Sequence, residues 1–374
     1  MSGSKSFFPT PKTLMGPGPS DVHPRVLSAI ARPTIGHLDP EFVELMDEIK
    51  TLLRNTFRTQ NRLTLPLSAP GSAAMEAAFA NLVEPDDKVI VCVNGVFGGR
   101  MAENVVRMKG NLVVVEDDWG QAVSPEKLEV ELRANPDAKL VGFVHAETST
   151  GVKSDVETLC RVARDHGCIS IVDAVTALGG VELETDEWNA DVVYSGSQKC
   201  LSCPPGISLI TFSDLAAEKI QSRNSAIQSW FLDMSLLMAY WEGEGARTYH
   251  HTAPVNSLYG LHESLLMLQE EGLENSWERH RVMHKLLTDG LEDLGFSFVV
   301  ERESDRLPQL NTVRLPDFVV PAGISADDYL KKLSHDGLNK LGKINPEYIS
   351  RINHELKVIS DRGFSKYFLT MKVV

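Results

Sequence analysis

The densest group of chemically able residues is Tyr194-Ser-Gly-Ser-Gln-Lys199-Cys-Leu-Ser-Cys-Pro-Pro-Gly206, where an apolar run stops in small polar residues, presents one lysine and enters a Pro-Pro-Gly turn. A lysine amine titrates near ~10.4, so it attacks a carbonyl to form a Schiff base only after desolvation or a cationic neighbour has lowered that value. A pocket at the end of a buried strand provides such desolvation, although a lone lysine is more often a solvated surface group. One strand-to-strand crossover earlier, Ile171-Val-Asp173-Ala closes another apolar run with a single carboxylate, which is costly to bury without a partner.

Together these two residues suit pyridoxal phosphate, because a carboxylate such as Asp173 can hold the protonated pyridine nitrogen that keeps the ring an electron sink. The competing reading of Asp173 is a cap on the helix after it. A third element is Ser68-Ala-Pro-Gly71-Ser72-Ala-Ala-Met-Glu76, a Gly-Ser turn opening an alanine-rich helix. Free N–H groups at a helix start bind phosphate, while serine is also a common N-cap. In Asn94-Gly-Val-Phe97-Gly-Gly an aromatic residue follows an apolar run, and it either stacks on a planar cofactor or belongs to the core. Cys200 and Cys203 form a Cys-x-x-Cys pair, but no second pair or spaced histidine completes a zinc set, so no metal site is expected.

These residues need a scaffold that gathers them at one edge. Apolar runs predict strands at Lys88–Val93, Leu112–Glu116, Lys139–His145, Cys168–Ala174, Asp191–Ser195 and Gly206–Phe212. Helical patterns separate them, among them about Asp39–Phe57, a helix from the Ser68–Ser72 turn to about Leu82, and Asp155–His166. The alternation predicts an α/β fold with a mostly parallel sheet covered by helices on both faces, whose ligands sit at strand C-terminal ends. Beyond Pro254 the pattern turns long and helical (Leu258–Glu271, Glu274–Leu294) and then strand-like (Phe296–Glu301, Asn311–Leu315). We therefore expect an N-terminal arm (1–20), a large cofactor-binding domain (21–255), a smaller α+β domain (256–323) and an atypical helical tail (324–374).

Composition narrows the partners. The 374 residues carry 43% hydrophobic and 24% charged residues, enough for a sizeable core. A net charge of −14 opposes binding to nucleic acid, which relies on clustered Lys and Arg. Five cysteines, an odd number without regular spacing, do not form a secreted disulfide framework. No apolar run reaches the roughly 18 residues of a membrane helix, and the first residues lack the apolar stretch of a signal peptide. A cytoplasmic protein without nucleic-acid or membrane partners is expected.

The motifs SGSQK-x4-PPG, IVDAVTALGG, HAETSTGV, SAPGSAAMEAA and YHHTAPVNSLYGLHESL together resemble the class V aminotransferases of the alanine–glyoxylate and serine–glyoxylate (serine–pyruvate) type, from about Leu14 to Gly323. The resemblance implies the fold-type-I architecture of pyridoxal-phosphate enzymes and a homodimer with active sites at the subunit interface. It makes Lys199 the Schiff-base lysine and proton shuttle, and pairs Asp173 with the pyridine nitrogen. Gly71, Ser72 and Gln198 become phosphate or ring contacts. Phe97 covers the ring where the family usually has Trp or Tyr, and Thr148 and Val175 lie beside it. Tyr249 and Thr252 would reach the phosphate of the other subunit's cofactor, Gly18 belongs to a loop that approaches the substrate, and His37 to a segment at the site entrance, both as substrate-binding candidates.

After about Gly323 the motif agreement stops, and the family's arginine that clamps the substrate carboxylate is not found in its usual setting. Ser350-Arg351-Ile352-Asn353 offers an Arg-Ile pair without the following glycine, which makes Arg351 the substitute candidate. Asp327–Leu369 instead weakly resembles part of the bacterial replicative DNA polymerase catalytic subunit, carrying no polymerase site of its own. The expected function is ping-pong transamination from alanine or serine to glyoxylate or pyruvate. The alternative is a pyridoxal-phosphate-binding homodimer with impaired or no turnover.

Overall fold

A computed structural model of the chain describes residues 6–241, 247–314 and 318–372. The strands are β1 (Leu63–Leu67), β2 (Lys88–Val93), β3 (Asn111–Glu116), β4 (Leu140–Val144), β5 (Ala146–Glu147), β6 (Val152–Lys153), β7 (Ile169–Asp173), β8 (Val192–Gly196), β9 (Ser208–Phe212), β10 (Ser297–Phe298) and β11 (Val313–Arg314). The helices are α1 (Pro24–Ile30), α2 (Pro40–Phe57), α3 (Gly71–Leu82), α4 (Val96–Arg107), α5 (Pro125–Ala134), α6 (Val156–Asp165), α7 (Asp214–Gln221), α8 (Met234–Trp241), α9 (Val255–Glu271), α10 (Leu273–Asp293), α11 (Ala326–Lys340), α12 (Pro346–Asp361) and α13 (Ser365–Met371). Among the described residues no helix is long and apolar enough to cross a membrane.

Seven strands form the main sheet in the order β1-β9-β8-β7-β4-β2-β3. The β3–β2, β2–β4, β4–β7 and β7–β8 pairings are parallel, whereas β9 runs antiparallel to both β8 and β1. Two reversals leave β1 pointing the same way as β8. The C-terminal ends of β1, β2, β4, β7 and β8 therefore share one edge, and the segments carrying Gly71, Phe97, Thr148, Asp173 and Lys199 leave the sheet there. Strands β4, β7 and β8 are buried at every position, which is why they read as continuous apolar runs.

Strand β1 is not among the strands expected above, and it contains Pro66. Among the described residues it lies at the sheet edge, pairing only with β9, where a residue without an N–H is tolerated. Helix starts follow local chemistry. Asp39 caps α2 by accepting from Glu41 N, Ser124 caps α5 by accepting from Lys127 N, and Asp155 caps α6 by accepting from Thr158 N, each satisfying a donor the helix cannot.

The described residues divide into two compact units. The first runs to His284 and includes Val300–Thr312, and its core contains the sheet with helices such as α3, whose Phe79 is wholly buried. The second comprises Lys285–Val299 and the residues from Val313 onward. It holds the end of α10, the antiparallel pair β10–β11 and the helices α11 to α13. The division falls inside α10 and not at 255/256 or 323/324. The strand expected over Phe296–Glu301 is only Ser297–Phe298, and that expected over Asn311–Leu315 is only Val313–Arg314, its last expected residue lying outside the described ones. Neither α11 nor α12 has a buried residue.

Candidate active site

Asp173 ends β7 and is almost completely buried, at 2% exposure. Its Oδ1 accepts from Val175 N at 2.9 Å and its Oδ2 from the Tyr194 hydroxyl at 3.0 Å. Desolvation dominates over these two bonds and pushes the carboxyl up to about 7, with the charge of Glu147 adding to the rise. Tyr194 sits opposite on β8, fully buried, and its phenol is raised well above the usual range by burial and by Asp173. The bond to Val175 N is a local turn contact. It realises part of the capping alternative, but the residues directly after Asp173 form a turn and not a helix.

Lys199 leaves β8 in a tight loop. Cys203 N donates to Ser197 O at 3.0 Å, the Ser197 hydroxyl donates to Pro204 O at 2.8 Å, and Ser202 takes φ 50° so that its N–H reaches Lys199 O at 2.9 Å. The 16–20 loop lies across this turn. Lys199 Nζ donates to Pro17 O at 2.5 Å, Ser20 N donates to Gln198 O at 3.1 Å, and the Ser20 hydroxyl donates to Lys199 O at 2.7 Å. Burial pushes the Lys199 ammonium below its ordinary value, opposed by the charge of Asp173.

Gly18 is where the backbone comes closest. A Cβ there would lie 2.6 Å from Lys199 Nζ and 2.8 Å from its Cδ, and φ is +113°, a conformation open to glycine at little cost. Gly18→Ala is therefore expected to displace the amine and lower kcat/KM by about 10-fold to 10²-fold, as small misplacements of reacting groups do. Steady-state kinetics beside a thermal melt checks this, and an unchanged kcat/KM contradicts the close approach.

Helix α3 begins at Gly71 with Pro70 at its N-cap and no side-chain cap. Ser72 is thus inside the first turn, exposed, and not the cap. Gly71 packs against Val175 and Gly196, since a Cβ there would meet Val175 Cγ2 at 3.5 Å and Gly196 Cα at 3.6 Å. Close beside Gly196 is Gln198 Oε1, a buried acceptor without a hydrogen-bond partner among the described residues. An uncapped helix start, an unpartnered buried acceptor and a buried carboxylate are complementary to the phosphate, polar edge and pyridine nitrogen of pyridoxal phosphate.

Phe97 lies in the first turn of α4, with the Arg100 guanidinium 4.8 Å from its ring centroid. Its N–H and that of Gly98 are taken by Glu147 Oε2. The Thr148 and Thr176 hydroxyls are 2.5 Å apart, and the Gln309 side-chain amide donates to Thr176 O at 2.7 Å. Sequence reasoning missed Tyr194, Glu147 and Thr176 as participants. Each lies inside a quoted motif, but nothing in the local pattern says that Tyr194 would face Asp173 or Glu147 the start of α4.

Asp173, Val175, Gln198, Lys199, Gly71 and Gly18 are thereby joined by direct contacts. Thr148 connects through Thr176, and Phe97 through Glu147. Tyr249, 56% exposed, shares a hydroxyl contact with exposed Thr252 at 3.2 Å, and its ring centroid is 5.3 Å from that of His37. This segment is tied to the 68–72 loop by His251, whose Nε2 is 2.6 Å from Ser68 Oγ. Burial, with His250 and His37 nearby, pushes the His251 ring down to about 4. Arg351 lies in the second unit on the solvent face of α12, ion-paired with Glu355 one turn later. Among the described residues no cluster of three or more His, Cys, Asp or Glu could hold a metal.

A desolvated lysine and a buried carboxylate at one sheet edge, each within reach of the other's charge and beside an uncapped helix start, define a pyridoxal-phosphate enzyme of fold type I. The class-V aminotransferase family model matches residues 21–334, and the chain belongs to that family. It is a pyridoxal-phosphate-dependent aminotransferase. The chain is 40% identical over 345 residues to a rat protein named alanine–glyoxylate aminotransferase, covering 92% of this chain and 82% of the relative. A solved alanine–glyoxylate aminotransferase from Nostoc superposes with TM-score 0.81 at 41% identity, covering 90% and 86% of the two chains. A ureidoglycine–glyoxylate aminotransferase structure from Bacillus subtilis gives TM-score 0.80 at 35% identity, covering 87% and 83%. The family match continues past Gly323, where the motif agreement was expected to stop, into α11 as far as residue 334.

Proposed function

We propose that this aminotransferase moves the amino group of alanine or serine to glyoxylate or pyruvate in a ping-pong cycle. The observation that carries the reading is the Lys199 amine, partly desolvated and hydrogen-bonded to Pro17 O within reach of the Asp173 charge. When bound, pyridoxal phosphate supplies the electron sink that acidifies the substrate Cα–H bond. Lys199 Nζ takes the proton from that carbon and returns it, and a lowered value brings its free-base form closer to neutral pH. Asp173 holds the pyridine nitrogen, while Gly71, Ser72 and Gln198 contact the phosphate or ring. Phe97 covers the ring face, with Thr148 and Val175 beside it. Gly18 and His37 approach the substrate.

Glyoxylate stands in the names of the rat, Nostoc and B. subtilis proteins, which supports it as the acceptor. Turnover is favoured over a binding-only protein because similarity to proteins named as aminotransferases spans about nine-tenths of the chain. A homodimer is part of the proposal, since Tyr249 and Thr252 are exposed and free to face a second copy. The decisive experiment is a donor–acceptor panel on protein loaded with one cofactor per chain. Turnover with alanine or serine and glyoxylate or pyruvate is expected. Loaded protein that reacts with neither donor in a half-reaction would leave the binding-only alternative standing.

A further inference from the structure

We infer that Glu147 is a positioning residue of the cofactor site, clamping the first turn of α4 and through it the ring of Phe97. The inference rests on the reading that Phe97 covers the cofactor ring.

Helix α4 has no cap of its own, because Gly95 at the N-cap position has no side chain. Its first N–H groups are nevertheless satisfied. Glu147, wholly buried on the short strand β5, accepts from Phe97 N at 3.1 Å and Gly98 N at 3.4 Å through Oε2. Through Oε1 it accepts from Ser149 N at 3.1 Å and from the Ser149 hydroxyl at 2.6 Å, and that hydroxyl accepts in turn from Val96 N at 3.1 Å. Three successive N–H groups of α4 are thus held by one carboxylate and the serine it orients. A negative group is favoured at a helix start, where the backbone dipoles present their positive end.

Burying a carboxylate without partners is costly, yet all four bonds made here are ones it accepts, two of them from the turn that carries Phe97. Loss of this clamp frees the first turn of α4 to shift or fray, which moves the Phe97 ring.

The test is a double-mutant cycle with Glu147→Gln, Phe97→Ala and both together. It is read by pyridoxal phosphate affinity and by visible circular dichroism per bound cofactor, which reports ring orientation. Gln keeps the size but turns an N–H₂ group toward N–H donors. Each single variant is expected to weaken binding by about 10-fold and reduce the visible signal, the size expected for losing an aromatic contact or a charge-assisted bond. The double variant is expected to match Phe97→Ala within about twofold, because coupled sites are not additive. Full multiplication of the two effects, or wild-type behaviour of Glu147→Gln, overturns the inference while leaving Phe97 as a ring contact. An unaffected Phe97→Ala overturns the ring-contact reading and the inference with it. If Glu147→Gln does not fold, Ser149→Ala, which removes only the hydroxyl relay to Val96, takes its place in the cycle: non-additivity with Phe97→Ala supports the clamp, and full multiplication or wild-type behaviour overturns it.

Discussion

Replacing Lys199 by alanine is expected to lower kcat by at least about 10³-fold, within the range a positioned general acid–base contributes, while the thermal midpoint changes little. The side chain is only partly buried, and its one hydrogen bond among the described residues is to Pro17 O in the 16–20 loop, so the fold does not depend on it. The visible absorption of bound cofactor should shift as well, because the covalent link to the amine is gone. Single-turnover half-reactions with alanine, with and without an added small primary amine, provide the measurement. Partial rescue by the free amine is expected if Nζ moves the proton. A half-reaction within tenfold of wild type without added amine would rule out the assigned role.

Asp173→Asn is expected to act in opposite directions on catalysis and on stability. Removing the charge that pairs with the ring nitrogen should cost roughly 10² to 10³-fold in kcat, the scale of losing one partner of a buried charge pair. The cofactor-free protein should instead gain stability. Burial raises the folded-state carboxyl from its ordinary 3.8 to about 7, so the group favours folding while protonated. Its contribution is intact below about pH 4, is lost as pH rises towards 7, and is constant above that. The loss is at most about 4 kcal/mol, from ~1.4 kcal/mol per unit. Asparagine can still accept from Val175 N and pair with the Tyr194 hydroxyl without a charge. Denaturant unfolding of both cofactor-free proteins at pH 5 and pH 7.5 should show the stability difference growing with pH in favour of the variant. Equal differences at the two values would mean that Asp173 is not desolvated as described.

Much of the scaffold is readable without coordinates because it depends on short-range rules. Continuous apolar runs mark β4, β7 and β8, since strands covered on both faces must be apolar throughout. Asp39 and Asp155 mark the starts of α2 and α6 because a side-chain oxygen satisfies an orphan N–H. Where the rule has an exception, the reading fails. Strand β1, which contains Pro66, is not among the expected strands, its edge position being a property of the whole sheet, and the Phe296–Glu301 run shrinks to two residues although its apolar pattern suggests six.

The site divides in the same way. Lys199 and Asp173 stand out in the sequence because a lone charge at the end of an apolar run needs a reason, and the reason depends only on neighbours along the chain. Ser72 is ambiguous at that level, and only the backbone shows that Pro70 precedes the first turn and leaves its N–H groups uncapped.

By itself the sequence determined the alternation of elements, the lysine nucleophile and its carboxylate partner, because periodicity, burial cost and amine chemistry act locally. Tertiary structure decided what surrounds them: Gly18 against Lys199, Tyr194 on Asp173, and Glu147 under the first turn of α4. These contacts join segments far apart in the chain, with Pro17 meeting Lys199 across 182 positions. They follow from the strand order β1-β9-β8-β7-β4-β2-β3, which hydrophobic pattern does not encode because every buried strand presents the same apolar faces to its possible neighbours.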